Sequence, residues 1–165
     1  MIVALYGPTA SGKTSVGRVL AGQLNFPIRS CGEEIKQRAK TLGLSVDALP
    51  GNEHRVIDQL TLDWVREHPN GVVEGRFLNY VLAGVLPPPI FVSLTASLDA
   101  REARYRTKGA NPDAVRQSDA SDIAFIKDVY GDIISESHKI ILDNSYEPVI
   151  DCSNSLVRFL KTLQP

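Results

Sequence analysis

The stretch with the most specific chemistry is GPTASGKTSVG, residues 7–17, which follows directly on the apolar run IVALY. Gly7, Gly12, Lys13 and Thr14 fit the pattern G-x-x-x-x-G-K-[ST], the Walker A phosphate-binding loop. Glycines let the backbone curl so that successive N–H groups point at phosphate oxygens, and the helix that follows adds the positive end of its dipole. The lysine reaches the outer phosphates, and the threonine hydroxyl can coordinate Mg²⁺. The loop therefore predicts binding of a nucleoside triphosphate, ATP, with magnesium.

Because backbone amides as well as side chains of such a loop contact phosphate, most of its residues are candidate ligands. The predicted ATP-binding residues are Gly7, Thr9, Ala10, Ser11, Gly12, Lys13, Thr14 and Ser15.

A second candidate constellation lies in VVEGRF, residues 72–77. Its apolar start predicts a strand that delivers Glu74 and Arg76 to the carboxyl edge of a parallel sheet, where ligands bind in open α/β folds. Glu74 can hold Mg²⁺ through water, together with Thr14. Arg76 can donate two hydrogen bonds to the phosphate of an acceptor molecule. A plain surface ion pair between neighbouring charges is the alternative interpretation.

The elements that must position these groups alternate along the chain. Short apolar runs bounded by glycine, proline and asparagine predict buried strands, and apolar residues at helical spacing predict helices between them. The strands are expected at residues 2–6, 27–31, 71–75, 90–96 and 138–145. The helices are expected at residues 12–24, 53–67, 98–106, 112–136 and 145–163, with Leu60, Trp64 and Phe159 among their inward residues. This alternation predicts an α/β fold, a parallel sheet with helices on both faces.

Length and composition exclude several classes of protein. The 165 residues suit one domain, residues 1–165, and the net charge of −1 gives no basis for binding a nucleic acid polymer or a membrane. Cys31 and Cys152 fit neither a metal-ligand pattern nor a disulfide framework. The N-terminal run predicts a strand rather than a signal peptide, so a cytoplasmic location is expected. The expected partner is a small-molecule substrate, and the expected assembly is a monomer or weak dimer.

Five segments follow one another at distances typical of a known family: GPTASGKTSVGRVLAGQL, IRSCGEEIKQRAKTLGLSVDAL, VIDQ, NGVVEGRF and FIKDVYG. Over about residues 1–150 the chain resembles the compact, archaeal-type cytidylate kinases of the P-loop nucleoside monophosphate kinase group. The resemblance implies a three-layer α/β/α P-loop NTPase-type fold with a five-stranded parallel sheet. It also implies an acceptor-binding flap near residues 31–65, a lid near residues 107–118, and transfer of the γ-phosphate of ATP to CMP or dCMP.

The resemblance further implies roles for individual residues. Arg76 lies where the family holds the acceptor phosphate, and Lys36 lies where relatives have a second phosphate-binding arginine. Ser30 and Asp58 lie where the family contacts the base or its surroundings. The expected substrate-binding residues are Ser30, Lys36, Asp58, Glu74 and Arg76. The expected catalytic residues are Lys13, Arg76, Arg104 and Arg116.

The chain departs from the family in the helix after the lid. Relatives carry arginines there that clamp the migrating phosphoryl group, whereas this chain has Ser118, Ile123 and Phe125 at those places. The loss matters because one such arginine can contribute about 10³–10⁵ in rate. Three explanations stay open: other basic residues form the clamp, the acceptor differs, or the protein binds nucleotide without useful transfer. The alternative clamp residues are Arg101, Arg104, Arg106, Lys108 and Arg116.

Two other functions therefore stay open beside the nucleoside monophosphate kinase. A kinase for a hydroxyl acceptor, such as a small metabolite or an antibiotic, benefits from a carboxylate base, for which Asp58 and Glu33 are candidates. A nucleotide-binding regulator needs no clamp at all, and the depleted lid helix is the feature that favours it.

Overall fold

The computed structural model describes residues 1–131 and 139–163, and it is built on a five-stranded parallel sheet with the order β2-β3-β1-β4-β5. The strands are β1 (Ile2–Tyr6), β2 (Ile28–Ser30), β3 (Gly71–Glu74), β4 (Ile90–Thr95) and β5 (Lys139–Asp143). The predicted α/β fold with a five-stranded parallel sheet is confirmed. Residue 138, the first of the last predicted strand, lies outside the described residues.

The described residues contain seven α-helices and one turn of 3₁₀-helix at Val46–Ala48. The helices are α1 (Lys13–Leu24), α2 (Cys31–Thr41), α3 (Gly51–Glu67), α4 (Leu78–Val81), α5 (Leu98–Thr107), α6 (Asp113–Val129) and α7 (Val149–Thr162). The sequence pattern did not predict α2, which is mostly polar, or α4, which has four residues. The last helix begins later than predicted, after Pro148, and residues 132–136 of the predicted helix 112–136 lie outside the described residues.

Alternation along the strands gives the sheet two apolar faces. On one face, Val3 and Leu5 of β1 pack with residues of α1 and α7, including Cys152. On the other face, Ala4 packs with residues of α2, α3 and α4, including Cys31. Helices therefore cover both faces of the sheet, as predicted, and the two cysteines are free thiols on opposite sides of it.

Two residues expected to point inward lie largely at the surface. Leu60 is 50% exposed and Phe159 is 41% exposed. In α3 the buried residues Ile57, Thr61 and Val65 follow one another at intervals of four, and this narrow stripe leaves Leu60 to one side. Trp64 is partly buried; its ring stacks on His68 with centroids 4.3 Å apart.

The parallel arrangement brings the carboxyl ends of all five strands to one edge. Leu5 and Ser30 are both in register with Glu74, and Thr95 is in register with Asp143. The segments that leave these strands are the Walker A loop, the start of α2, the residues around Arg76, and the residues after β5. The sheet therefore places the Walker A loop, Ser30, Glu74 and the segment of Arg76 at the edge where α/β proteins bind ligands.

Gly7 is expected to be indispensable for this arrangement. Its φ is +140°, and a Cβ added there would lie 2.2 Å from the backbone oxygen of Leu94 in β4. We expect Gly7→Ala to lower the free energy of unfolding by more than about 4 kcal/mol, because backbone cannot yield as a side chain can. The matched control is Gly22→Ala, whose Cβ meets no atom within 4 Å, and which should be neutral or stabilising by up to about 1 kcal/mol. Urea titration measures both; equal effects of the two changes would contradict the prediction.

Candidate functional site

The loop between β1 and α1 has the conformation of an anion-binding loop. Backbone φ angles are positive at Gly7, Ala10 and Gly12, and α1 begins directly after Gly12. No acidic residue lies in the first turn of α1, so the amides at its start have no neighbouring carboxylate in that turn. This leaves a positive helix end and several N–H groups for a bound anion, while Ser15 is exposed in the first turn.

Lys13 is buried and folds back over its own loop. Its Nζ donates to the backbone oxygen of Pro8 at 2.8 Å and more weakly to Oγ of Ser11 at 3.5 Å. Burial lowers the pKa of Lys13 to about 8, and the opposing attraction of Glu74 only partly offsets it. A polyphosphate in the loop would supply the anionic partner that favours the charged ammonium.

Glu74 connects the loop with the start of α2. Its carboxylate is 2% exposed, and its Oε1 accepts hydrogen bonds from the Thr14 hydroxyl at 3.0 Å and from the Ser30 hydroxyl. Ser30 also caps α2, because its Oγ accepts from the backbone N–H of Glu33. The sequence predicted all three of Thr14, Ser30 and Glu74 as site residues, and the structure brings them into direct contact.

The oxygen atoms of Thr14 and Glu74 fit the donor set that Mg²⁺ prefers. Among the described residues, no group of three or more His, Cys, Asp or Glu side chains could hold a metal ion by itself. A magnesium ion here would complete its coordination with water and phosphate oxygens, as is usual for this metal.

Two arginines of α5 and an asparagine after β5 support the loop from the other side. Arg104 donates through Nη1 to the backbone oxygen of Ala10 at 3.0 Å, and through Nη2 to that of Asn144. Asn144 is 1% exposed, and its amide donates to the backbone oxygen of Ser11 at 2.8 Å. Arg101 donates to the backbone oxygen of Thr9 at 3.3 Å. Sequence analysis placed Asn144 inside the predicted strand 138–145 and missed its contact with the loop; the observed strand ends at Asp143, so Asn144 is the first residue after it.

The other predicted cations lie farther from the loop contacts. Arg116 donates through Nε to Glu102 at 2.8 Å, and its side chain is largely exposed. Lys36 is exposed on α2. Arg101, besides its contact with the loop, forms a bidentate ion pair with Asp119, at 2.8 and 2.7 Å, while its buried Nε has no hydrogen-bond partner in the described part of the chain. The catalytic role of Arg116 and the binding role of Lys36 stay predictions.

Helix α6 reaches across the sheet edge to Arg76. The guanidinium of Arg76 donates to the Asp122 carboxylate at 2.6 Å and to the Ser118 hydroxyl at 3.0 Å. Ser118 in turn is 2.8 Å from the Thr9 hydroxyl of the loop. Two hydrogen bonds therefore connect the Walker A loop to Arg76, and the second candidate cation of the site lies beside the first. The alternative of a surface ion pair between Arg76 and Glu74 does not describe these contacts.

Asp58 of α3 contacts Tyr130, the residue that follows α6. The phenol of Tyr130 donates to its carboxylate at 2.8 Å. Burial raises the pKa of Asp58, and the hydrogen bond from Tyr130 partly opposes that rise. Phe125 of α6 stacks on Phe77 and meets His54 edge-on, with centroids 5.2 and 4.9 Å apart. The sequence analysis placed Asp58 near a base but did not predict this aromatic cluster.

The curated relatives that this chain matches are named cytidylate kinase. The cytidylate kinase of Methanocella arvoryzae is 37% identical over 82 residues, which are 46% of this chain and 47% of that protein. The cytidylate kinase of Archaeoglobus fulgidus is 27% identical over 124 residues, covering 71% of this chain and 67% of that protein. The resemblance to archaeal cytidylate kinases is confirmed. The chain spans about half of the first of these relatives, and no family model matches it.

Solved structures show the fold of this cytidylate kinase-like chain. Shikimate kinase from Acinetobacter baumannii is 18% identical with a TM-score of 0.64, covering 99% of this chain and 94% of that one. A gluconokinase from Sinorhizobium meliloti is 17% identical with a TM-score of 0.65, and the coverage is 98% and 94%. Deoxyadenosine kinase from M. mycoides is 12% identical with a TM-score of 0.66, and the coverage is 98% and 100%. The fold is that of the P-loop kinases.

In the described ranges, no helix combines the length and the apolar character that crossing a membrane requires.

Proposed function

We propose that the protein transfers the γ-phosphate of ATP to a nucleoside monophosphate, CMP or dCMP, and releases ADP and the nucleoside diphosphate. The observation that carries this proposal is the connection of two phosphate-binding elements at one sheet edge. The Walker A loop ends in Lys13 and Thr14, and Arg76 is linked to it through Ser118 and Thr9. One element suits the triphosphate of the donor and the other suits the phosphate of the acceptor. The relatives named cytidylate kinase support the choice of CMP.

The transfer follows from where these groups lie. Amides of the loop bind the triphosphate, and Lys13 stays with the γ-phosphate as it moves. Arg76 orients the acceptor phosphate, one of whose oxygens forms a bond to the γ-phosphorus while the bond to the β-phosphate oxygen breaks. Because the acceptor oxygen is already ionised, no general base is required. Thr14, and Glu74 through water, would hold Mg²⁺, which when bound neutralises charge on the phosphates.

Arg101 and Arg104 are proposed as the cationic clamp that the lid helix lacks. Both guanidinium groups already contact backbone oxygens of the Walker A loop, at Thr9 and Ala10. Two guanidinium groups at the loop can stabilise the charge that spreads over the equatorial oxygens of the migrating group. Three explanations were given for the absence of arginines from the helix after the lid. The position of Arg101 and Arg104 at the loop favours the first, in which other basic residues form the clamp. Arg116 remains a proposed contributor from the lid.

The remaining assignments concern the acceptor and the moving parts of a single domain, residues 1–165. Ser30 and Asp58 are proposed to contact the base or its surroundings, and Lys36 the acceptor phosphate. The proposed flap, residues 31–65, contains α2 and most of α3, and the proposed lid, residues 107–118, joins α5 to α6. Closing of the lid would exclude water and suppress hydrolysis of ATP.

A panel of acceptors tests the proposed function. ADP release is measured with ATP and magnesium in the presence of CMP, dCMP, UMP, AMP or GMP, and separately with shikimate, gluconate and deoxyadenosine. CMP- or dCMP-dependent release is the expected result. Activity confined to acceptors without a phosphate would overturn the proposal in favour of a hydroxyl kinase. Tight ATP binding without turnover on any acceptor would favour a nucleotide-binding regulator.

A further inference from the structure

The C-terminal half of α6 lies where the proposed acceptor would bind. It places Asp122 on Arg76, and it places Phe125 against His54 of α3 and Phe77, which directly precedes α4. These are the two contacts that a nucleoside monophosphate needs, one for its phosphate and one for its base. The inference that follows rests on the proposed function, because it takes Arg76 as the acceptor-phosphate site.

The anionic contact is well formed. Asp122 Oδ1 lies 2.6 Å from Nη1 of Arg76, and both side chains are mostly shielded from solvent, at 15% and 28% exposure. A carboxylate and a phosphate present the same kind of charged oxygen to a guanidinium. The Asp122 carboxylate therefore pairs with the Arg76 guanidinium that would otherwise bind the acceptor phosphate. The carboxylate and the phosphate must compete for this guanidinium.

The ring contact has the geometry of a stacked base. The rings of Phe125 and Phe77 lie 5.2 Å apart at an interplanar angle of 21°, and His54 meets Phe125 edge-on at 4.9 Å. Next to this ring, Tyr130 donates to Asp58, the residue expected to lie near the base. Phe77 and His54 thus form a slot for one planar ring, with a carboxylate close by.

The two contacts also come from one face of the helix. Asp122 and Phe125 are three residues apart in α6, so their side chains are neighbours on its surface. One helix face therefore makes both contacts, and the two are displaced together when that face leaves the site.

We propose that Asp122 and Phe125 occupy the acceptor site when no acceptor is bound. The Asp122 carboxylate lies where the acceptor's phosphate would bind, and the Phe125 ring lies where its base would bind. The slot between Phe77 and His54 is then a specificity element. It selects an acceptor that carries both an anion and a planar ring, and it disfavours sugars and other alcohols without a ring. The acceptor binds by displacing the C-terminal half of α6, so its apparent affinity is reduced by the fraction of molecules in which the helix is docked.

Isosteric removal of the anionic occupant tests the proposal. Asp122→Asn keeps the shape but removes the charge, and we expect it to tighten binding of CMP and of inorganic phosphate about tenfold by calorimetry without ATP. The matched control is Asp128→Asn, an exposed carboxylate on the same helix, which removes the same charge and should leave both affinities unchanged. Phe125→Ala should tighten CMP binding; its thermal unfolding is measured alongside to establish that it folds.

Hydrogen exchange of the wild-type protein distinguishes displacement from simple closing. Saturating CMP should speed exchange of the amides of residues 119–129, because the helix leaves the site. Slower exchange with CMP, or weaker CMP binding by Asp122→Asn and Phe125→Ala, would overturn the proposal, since the two residues would then help to bind the acceptor. If neither the wild-type protein nor any variant binds CMP, the proposed function fails. The binding of inorganic phosphate to Asp122→Asn then tests the role of Asp122 by itself. Tighter phosphate binding by Asp122→Asn alone would support it, and unchanged binding would refute it.

Discussion

Lys13→Ala is expected to abolish phosphoryl transfer, lowering kcat by about 10³-fold or more. The ammonium is buried inside the Walker A loop, 2.8 Å from the backbone oxygen of Pro8, so no water-exposed cation can take its position without rebuilding the loop. In the proposed reaction it stabilises charge on the γ-phosphate throughout the transfer, and alanine offers no substitute. Steady-state ADP release with CMP measures the effect.

A lysine elsewhere provides the control for this change. Lys40→Ala removes an exposed ammonium from α2 and should leave kcat within about twofold of the wild-type value. Circular dichroism and thermal unfolding of Lys13→Ala establish that the fold is kept. A folded Lys13→Ala variant that retained a tenth of the wild-type kcat would contradict the assignment of Lys13 to the migrating phosphate.

Arg76→Ala is expected to raise the KM for the acceptor by about 10- to 100-fold, while the KM for ATP changes less than about threefold. The range corresponds to about 1.5–3 kcal/mol for a hydrogen bond to a charged group. The split between substrates follows from position, because Arg76 contacts Asp122 and Ser118 rather than the backbone of the Walker A loop. Initial rates over a matrix of ATP and CMP concentrations give both constants.

Removing Arg76 also leaves Asp122 without its partner, and a nearby carboxylate would repel the acceptor phosphate. The same substitution is therefore made in an Asp122→Asn background, where a rise in acceptor KM should persist without that repulsion. Arg66→Ala, which removes an exposed guanidinium from α3, serves as the control. Equal increases in both KM values would tell against assigning Arg76 to the acceptor.

Local patterns predicted the sheet and the loop because both are specified over short stretches. Apolar runs between glycine and proline gave the five strands, and the Walker A spacing requires only eight consecutive residues, Gly7 to Thr14. Apolar patterns did not predict α2 and α4. Helix α2 is mostly polar and begins at the Ser30 cap, and α4 has too few residues to show a helical period. Leu60 was wrongly predicted to point inward, because periodicity shows which face of a helix is apolar but not how much of that face the sheet covers.

The acceptor side could not be predicted to the same depth because it is assembled from distant segments. His54 lies in α3, Phe77 directly before α4, Phe125 in α6 and Tyr130 directly after it, and only tertiary packing brings their rings together. At the lid the sequence showed missing arginines, and it could not show that an acidic and an aromatic side chain of that helix fill the space beside Arg76. The roles that the resemblance implies for Arg76 and the other site residues stay predictions.

Glu74 accepts from Thr14 on the donor side and from Ser30 at the start of the flap helix. One buried carboxylate thus hydrogen-bonds to residues on both sides of the cleft, so a substitution of Glu74 would disturb both sides together. If the protein is the proposed kinase, natural variation that changes its second substrate is therefore expected to spare this carboxylate and to accumulate instead along the rim formed by α3 and α6.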